Sequence, residues 1–270
     1  MSQQDRDLST PLQYLKGVGP KLAELFASRL ELNTVKDLLF YFPRAYDDRR
    51  NIQTIKELKL GEVQMVLGKV VTLTDEKKGR LNILKAVLEQ DGRYLTLVWF
   101  NQPFLKKLLH RAVPQLVPQD TEKQEEVQIF AKGKVDINSY TRELQMSVQE
   151  FELIDDVKDN LSLGRVVPIY GLTEGLFQKK IRSLAKSALD IYLEAVPEHF
   201  TEADLKKYEI EFIQQAVSDM HFPRGREEWK KAHDRLVFEE FFRFYLRLFS
   251  IRKDLQKAPG ISFNMEDGLY

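Results

Sequence analysis

Five runs of β-branched and aliphatic residues, interrupted once by a helical stretch, constrain this chain more than any other feature. Val63 to Thr74 and Leu81 to Gln90 flank the polar turn Asp75-Glu76-Lys77-Lys78-Gly79-Arg80, and Asp91-Gly92 turns the chain straight back into Arg93 to Phe100. An Asp-Gly pair between two such runs supplies the left-handed backbone that a two-residue hairpin demands. Pro103 to Arg111 reads as a helical turn or two. Two more strands follow, Val127 to Ile137 and Tyr140 to Ile154, joined at Asn138-Ser139. Three strands, a helix and two strands is the order of an OB-fold, a five-stranded barrel. Pro114 to Glu126, polar and Gln-rich, reads as a loop on it.

Helical patterns flank this barrel. Near the start stands Leu15-Lys16-Gly17-Val18-Gly19-Pro20-Lys21-Leu22-Ala23. Two glycines around one apolar residue make a tight turn between helices, and Pro20 sits where a first helical turn tolerates it. Thr34 caps a second helix through Val35, Leu38, Leu39 and Tyr41, which Pro43 stops. Beyond the barrel, the spacing predicts a helix from Thr173 that Pro197 closes, another near Glu202 to Met220, and a long one from about Glu227 to Lys257. The last carries Trp229, Phe238, Phe241, Phe242, Tyr245 and Phe249. Such a stripe is core or inter-domain packing; left uncovered, it is an apolar patch awaiting a partner. The expected class is α+β, an OB-fold β-barrel flanked by an N-terminal helical hairpin and a C-terminal helical region. The expected segments are 1–55, helical; 56–160, the barrel; 161–257, helical; and 258–270, the start of a linker.

Composition narrows the function. The chain has no Cys, and its four His residues (His110, His199, His221, His233) are scattered, so no disulfide framework, thiolate site or metal centre is expected. There is no G-x-x-x-x-G-K-[ST], no G-x-S-x-G and no H-E-x-x-H. The adjacent carboxylates Asp47-Asp48, Glu125-Glu126 and Glu239-Glu240 do not face one another across a cleft and read as solvated surface. No catalytic residue is expected within these residues. Forty-one basic residues balance forty-one acidic ones, so any nucleic-acid site must be a local patch. No apolar run reaches the roughly 18 residues of a membrane span, and MSQQDRDLST lacks a signal-peptide core; a cytoplasmic location is expected.

The richest local chemistry lies where the third strand leaves the barrel, in Trp99-Phe100-Asn101-Gln102-Pro103-Phe104-Leu105-Lys106-Lys107. Aromatic faces stack on any base at roughly 1–3 kcal/mol per base, and nearby lysines meet phosphates. The strand 2–3 face and adjoining loops of an OB-fold are its usual nucleic-acid surface, and the first of those loops carries Lys77, Lys78 and Arg80. Phe100, Asn101, Gln102, Phe104, Lys106 and Lys107, with that basic turn, are the candidate DNA-binding residues. Two plainer readings stay open: Trp99 is core if strand alternation points it inward, and Phe104 after Pro103 is a plug closing the barrel. Gly17 and Gly19, with Lys16 and Lys21, match the hairpin of a helix-hairpin-helix element, where backbone N–H groups at a helix start approach a phosphate. A plain turn that needs glycine fits them equally.

Taken together, these blocks resemble a known family. Leu15 to Lys21 with Asp37-Leu38-Leu39-Phe40-Tyr41-Phe42-Pro43-Arg44-Ala45-Tyr46-Asp47-Asp48-Arg49 resembles the start of RecG, the bacterial ATP-dependent branched-DNA helicase. So do Phe100-Asn101-Gln102 with Phe104-Leu105-Lys106-Lys107, then Pro168-Ile169-Tyr170-Gly171-Leu172-Thr173-Glu174-Gly175-Leu176, His221-Phe222-Pro223 and Arg235-Leu236-Val237-Phe238-Glu239-Glu240-Phe241-Phe242. The resemblance implies the wedge portion of such a helicase. Motor domains of the same polypeptide, using ATP and Mg, pull duplex DNA while the wedge splits strands at forks and Holliday junctions during fork regression, recombination and repair. It also implies that Phe100 and Phe104 stack on bases at the junction. Where the family often has Tyr, Phe104 keeps the stacking face and loses the hydroxyl. Two alternatives belong to other classes: a protein-interaction module that recruits a single-stranded DNA-binding protein, and a general single-stranded nucleic-acid binder.

Overall fold

The computed structural model describes residues 7–102, 105, 109, 127–154, 161–173 and 175–257, and every structural statement here concerns those residues. Contacts gather the chain into two units. Arg44–Ser183 forms one, and Met1–Pro43 with Leu184–Tyr270 forms the other.

The first unit is built on seven strands: β1 (Ala45–Asp48), β2 (Val63–Lys78), β3 (Leu81–Gln90), β4 (Arg93–Phe100), β5 (Gln128–Ile137), β6 (Leu144–Ile154) and β7 (Val166–Ile169). Five close a barrel in the order β2-β3-β4-β6-β5. Closure depends on the length of β2. Its first half pairs with β5, from Val63↔Lys134 to Lys69↔Gln128, and its second half pairs with β3, from Lys69↔Glu89 to Lys78↔Leu81. Side chains alternate across the pleat, so Leu84, Ala86 and Leu88 of β3 and Leu95, Leu97 and Trp99 of β4 fill the interior with Val66, Ile129, Ala131 and Met146. Leu105 and Leu109, both helical, add to that core from the stretch after β4. The β5–β6 register shifts at Lys132/Gly133, where a Cβ on Gly133 would stand 2.3 Å from the Ser147 carbonyl oxygen; only glycine permits that approach.

Two expectations need correction here, and one element was missed. The polar stretch from Asp75 is not a loop: strand pairing continues to Lys78↔Leu81, leaving Gly79 and Arg80 as the turn. The predicted β5–β6 junction at Asn138-Ser139 is longer, running to Glu143, with the Asn138 side chain accepting from the Tyr140 and Thr141 N–H groups. The sequence also hid a ribbon, β1 paired with β7 from Ala45↔Ile169 to Asp48↔Val166.

That ribbon explains why Asp47 is not solvated surface: it is 4% exposed. Its carboxylate accepts from Arg49 Nε at 2.9 Å and Lys132 Nζ at 2.7 Å. Arg49 Nη1 also donates to Glu152 Oε2 (3.1 Å) and the Ser162 carbonyl (3.2 Å), and its guanidinium lies 4.0 Å from the Phe130 ring centroid. Arg182 joins the cluster through Nη1 to Glu152 Oε2 (2.8 Å) and Ser162 Oγ (2.7 Å), with Nε to the Pro168 carbonyl (3.0 Å). The Ser162 hydroxyl donates to Glu152 Oε1. Every buried charge here has a partner of opposite sign, the condition on which such burial is tolerated.

The second unit is helical. A 3-10 turn (Leu12–Tyr14) precedes α1 (Pro20–Leu30) and α2 (Val35–Leu39). Thr34 caps α2 as expected, in a box where Thr34 Oγ1 accepts from the Asp37 N–H and Asp37 accepts from the Thr34 N–H. The helix α3 (Gln178–Tyr192), whose residues up to Ser183 belong to the first unit, starts later than Thr173, because Gly175 takes a left-handed backbone (φ 88°). The Gln178 side chain then holds both the N–H and the carbonyl of Tyr170. The helix expected near 202–220 is two, α4 (Glu202–Tyr208) and α5 (Ile213–His221). Glu209 turns left-handed after α4 (φ 52°) and the Ile210 N–H returns to the Leu205 carbonyl, which ends that helix. At the end of α5, His221 is fully buried, with Nε2 2.9 Å from the Leu39 carbonyl and its ring against Phe42. The long helix α6 (Arg226–Lys257) buries Arg235. That side chain donates to Glu239 (2.6 Å), Glu198 (2.9 Å) and the Glu211 carbonyl (2.9 Å). Glu239, expected in solvent, is therefore buried by its cation. Further along α6, Phe241, Phe244, Tyr245, Leu248, Phe249 and Leu255 are all exposed. Residues 258–270, read as a linker start, lie outside the described residues.

Candidate nucleic-acid interface

The last residues of β4 point to opposite sides of the barrel wall. Trp99 faces in, is 2% exposed and packs edge-on to Phe151 at 5.4 Å. Its reading as core is the correct one. Phe100 faces out and is 46% exposed, because one step along a strand reverses the face. Opposite Phe100 stands Ile83 of β3, and opposite Ile83 stands Glu76 of β2. This row brings the ring beside the tip of the β2–β3 hairpin. There Lys77 and Arg80 are exposed, and Lys78 closes the pairing with Leu81. Glu76, in that row, is engaged by Lys85 at 2.8 Å.

The chain leaves the barrel at Asn101. Its backbone is left-handed (φ 54°), a conformation asparagine tolerates better than most residues. The Asn101 N–H donates to the Asn82 carbonyl at 2.8 Å, and the Asn82 N–H donates to Asn101 Oδ1 at 3.1 Å. Gln102 is half-buried and its carbonyl accepts from the Leu105 N–H at 3.1 Å. Leu105 and Leu109 are sunk in the barrel core. Phe104, Lys106 and Lys107 lie outside the described residues. Asn82 escaped sequence reasoning, since only the observed register sets it against Asn101.

The glycine turn belongs to the helical unit. Gly17 is left-handed (φ 91°), and Gly19 caps α1, its carbonyl accepting from the Leu22 and Ala23 N–H groups. Lys16 and Lys21 are exposed beside it. The short 3-10 turn, the two glycines and α1 form a hairpin. Phe100, Asn101, Gln102 and the basic tip form the barrel's own candidate surface. No group of three or more potential metal ligands and no helix long and apolar enough to cross a membrane occurs among the described residues.

Comparison with known proteins follows the same outline. The family model described as the RecG wedge domain matches residues 11–192. The ATP-dependent DNA helicase RecG of Thermotoga maritima is 33% identical over 268 residues, covering 99% of this chain and 32% of that protein. Its counterpart in Bacillus subtilis is 32% identical over 259 residues, covering 93% of this chain and 34% of that one. Among solved structures, RecG bound to a three-way DNA junction superposes with a TM-score of 0.67 at 33% identity, over 98% of this chain and 34% of that one. The chain spans about a third of the length of these relatives.

Proposed function

The chain belongs to the RecG wedge-domain family, and from that premise we propose that its barrel is the branched-DNA-binding wedge of an ATP-dependent helicase. The observation that carries the reading is the exposed Phe100 ring at the exit of β4 beside the basic β2–β3 tip. A flat ring there stacks on the last base pair or first unpaired base of a fork, while Lys77, Lys78 and Arg80 meet the phosphates of the strand being turned aside. On this reading Gln102, and Phe104, Lys106 and Lys107 that follow it in sequence, also contact the DNA. Gly17, Gly19 and Lys21 offer a sequence-neutral phosphate contact from the helical unit. Splitting strands requires work, and no phosphate-cradling G-x-x-x-x-G-K-[ST] motif occurs in these 270 residues. ATP and Mg act, on this reading, in motor domains of the same polypeptide, and the whole enzyme works in the cytoplasm on forks and Holliday junctions.

Phe100→Ala is expected to weaken binding to a three-way fork roughly 5- to 150-fold, the equivalent of about 1–3 kcal/mol of stacking. Linear duplex binding should be nearly unchanged, and the fold should lose within about 0.5 kcal/mol, as at an ordinary surface site. Lys77→Ala in the same assay should lower the slope of log affinity against log salt by about one. Fork binding by Phe100→Ala equal to that of the parent would remove the ring from the site. The exposed apolar end of α6 favours a second reading, a module that recruits a single-stranded DNA-binding protein. Capture of that partner without DNA, lost on shortening α6 after Glu240, would support it. Equal affinity for linear single strands and forks would instead indicate a general single-strand binder.

A further inference from the structure

We propose that Asn101 is a positioning residue: its side chain takes the place of its own carbonyl in the last rung of the β3–β4 ladder and so sets the direction in which the chain leaves the barrel behind Phe100. In a regular antiparallel ladder every second opposed pair exchanges two bonds, N–H to carbonyl in each direction. Ile83 and Phe100 are partners, so Asn82 and Asn101 form the next rung. One of its bonds is ordinary, Asn101 N–H to Asn82 carbonyl at 2.8 Å. The other is not, because the Asn82 N–H goes to Asn101 Oδ1 at 3.1 Å.

Two demands meet at this position. A left-handed φ of 54° turns the chain off the strand, and this alone would break the ladder one rung early. An acceptor is therefore needed to hold the Asn82 N–H at the root of the β2–β3 tip. Glycine meets the first demand and alanine neither, whereas asparagine and aspartate meet both, since a short side-chain oxygen reaches the neighbouring backbone. The second anchor lies four residues on, where Leu105 enters the core after its N–H bonds to the Gln102 carbonyl. With Asn101 and Leu105 held at these two points, the Phe100 ring sits at the end of a fixed rung next to the root of the basic tip. A stacking ring acts only when so held.

This inference rests on the wedge reading, and the test separates the two. Fork affinity would be measured by fluorescence anisotropy for the 270-residue chain carrying Phe100→Ala, Asn101→Gly, their combination, and Asn101→Asp. Asn101→Gly keeps the left-handed turn and deletes the acceptor; it is expected to weaken fork binding roughly tenfold, a coupling typical of residues that act together. In the Phe100→Ala background the same change should cost no more than about twofold, the scatter of independent sites. Asn101→Asp retains the acceptor and should bind forks more tightly than Asn101→Gly at a salt concentration that screens the added charge. Additive losses from Phe100→Ala and Asn101→Gly, or an Asp variant as weak as the Gly variant, would make Asn101 a direct DNA contact and overturn the positioning role while leaving the wedge standing. No loss from Phe100→Ala would instead remove the ring from the site, and the positioning role with it.

Discussion

Glu152→Gln is expected to destabilise the barrel unit by about 3–5 kcal/mol, the cost of breaking a buried ion cluster by removing one partner. The carboxylate lies between two buried guanidiniums, those of Arg49 and Arg182, and also accepts from the Ser162 hydroxyl. Burial on its own would raise the Glu152 carboxyl. The Arg182 guanidinium, the Ser162 hydroxyl and Arg49 outweigh it and hold the group below the ordinary carboxylate range. Glutamine has the same shape but leaves two cations facing an amide. Urea denaturation followed by the fluorescence of Trp99, in a Trp229→Phe background, would read the loss. The exposed Lys186–Asp190 pair provides the comparison: Asp190→Asn should change stability by under about 0.5 kcal/mol. A Glu152→Gln loss as small as that would mean the cluster is already open to solvent.

Acid should weaken the helical unit as pH falls below 6.5. Burial holds the His221 imidazole neutral, with a pKa lowered from 6.5 to about 4, although its bond to the Leu39 carbonyl pulls the other way. A carbonyl only accepts, so Nε2 carries the proton. The unfolded chain takes up a second proton on His221 near pH 6.5 and the folded chain only near pH 4. Stability is therefore full above pH 6.5 and falls as pH drops towards 4, by about 3 kcal/mol at about 1.4 kcal/mol per pH unit. His221→Gln should flatten that slope, because an amide N–H can still donate to Leu39 and does not titrate. Denaturation midpoints at pH 7, 5.5 and 4.5 would test it, and parallel profiles for parent and variant would exclude His221 as the cause. Lower still, Asp47 and Glu152, both held below their ordinary values by their cations, lose their contribution in the same direction in the barrel unit.

The barrel was legible because its signals are local. Asp91-Gly92 marks a hairpin, and alternation separates Trp99 from Phe100 without reference to any other strand. The ribbon was not legible. Ala45–Asp48 and Val166–Ile169 are four residues each, too short for a periodic pattern, and they pair across more than a hundred intervening residues. Asp47 and Glu239 show the same limit for charge: the guanidiniums that pair them, Arg49 and Arg235, lie only two and four residues away, but a local run of charges looks solvated until packing from distant segments buries it. The break at Glu209 arises because α4 ends in a left-handed residue that is not glycine, so the usual stop signal is missing. At the candidate site, Phe100 and the basic tip were visible as residue types. The Asn82–Asn101 rung was not, because it exists only in the register.

The β1–β7 ribbon also makes the two chain crossings between the units mechanically unequal. Tension arriving through Pro43 meets the open end of a four-rung zipper at Ala45↔Ile169 and can peel it rung by rung. Tension arriving through Leu184 meets Arg182 first, tethered to Glu152, Ser162 and the Pro168 carbonyl. A pull from that side is borne by several bonds at once, so the outgoing crossing is the stiffer handle on the barrel.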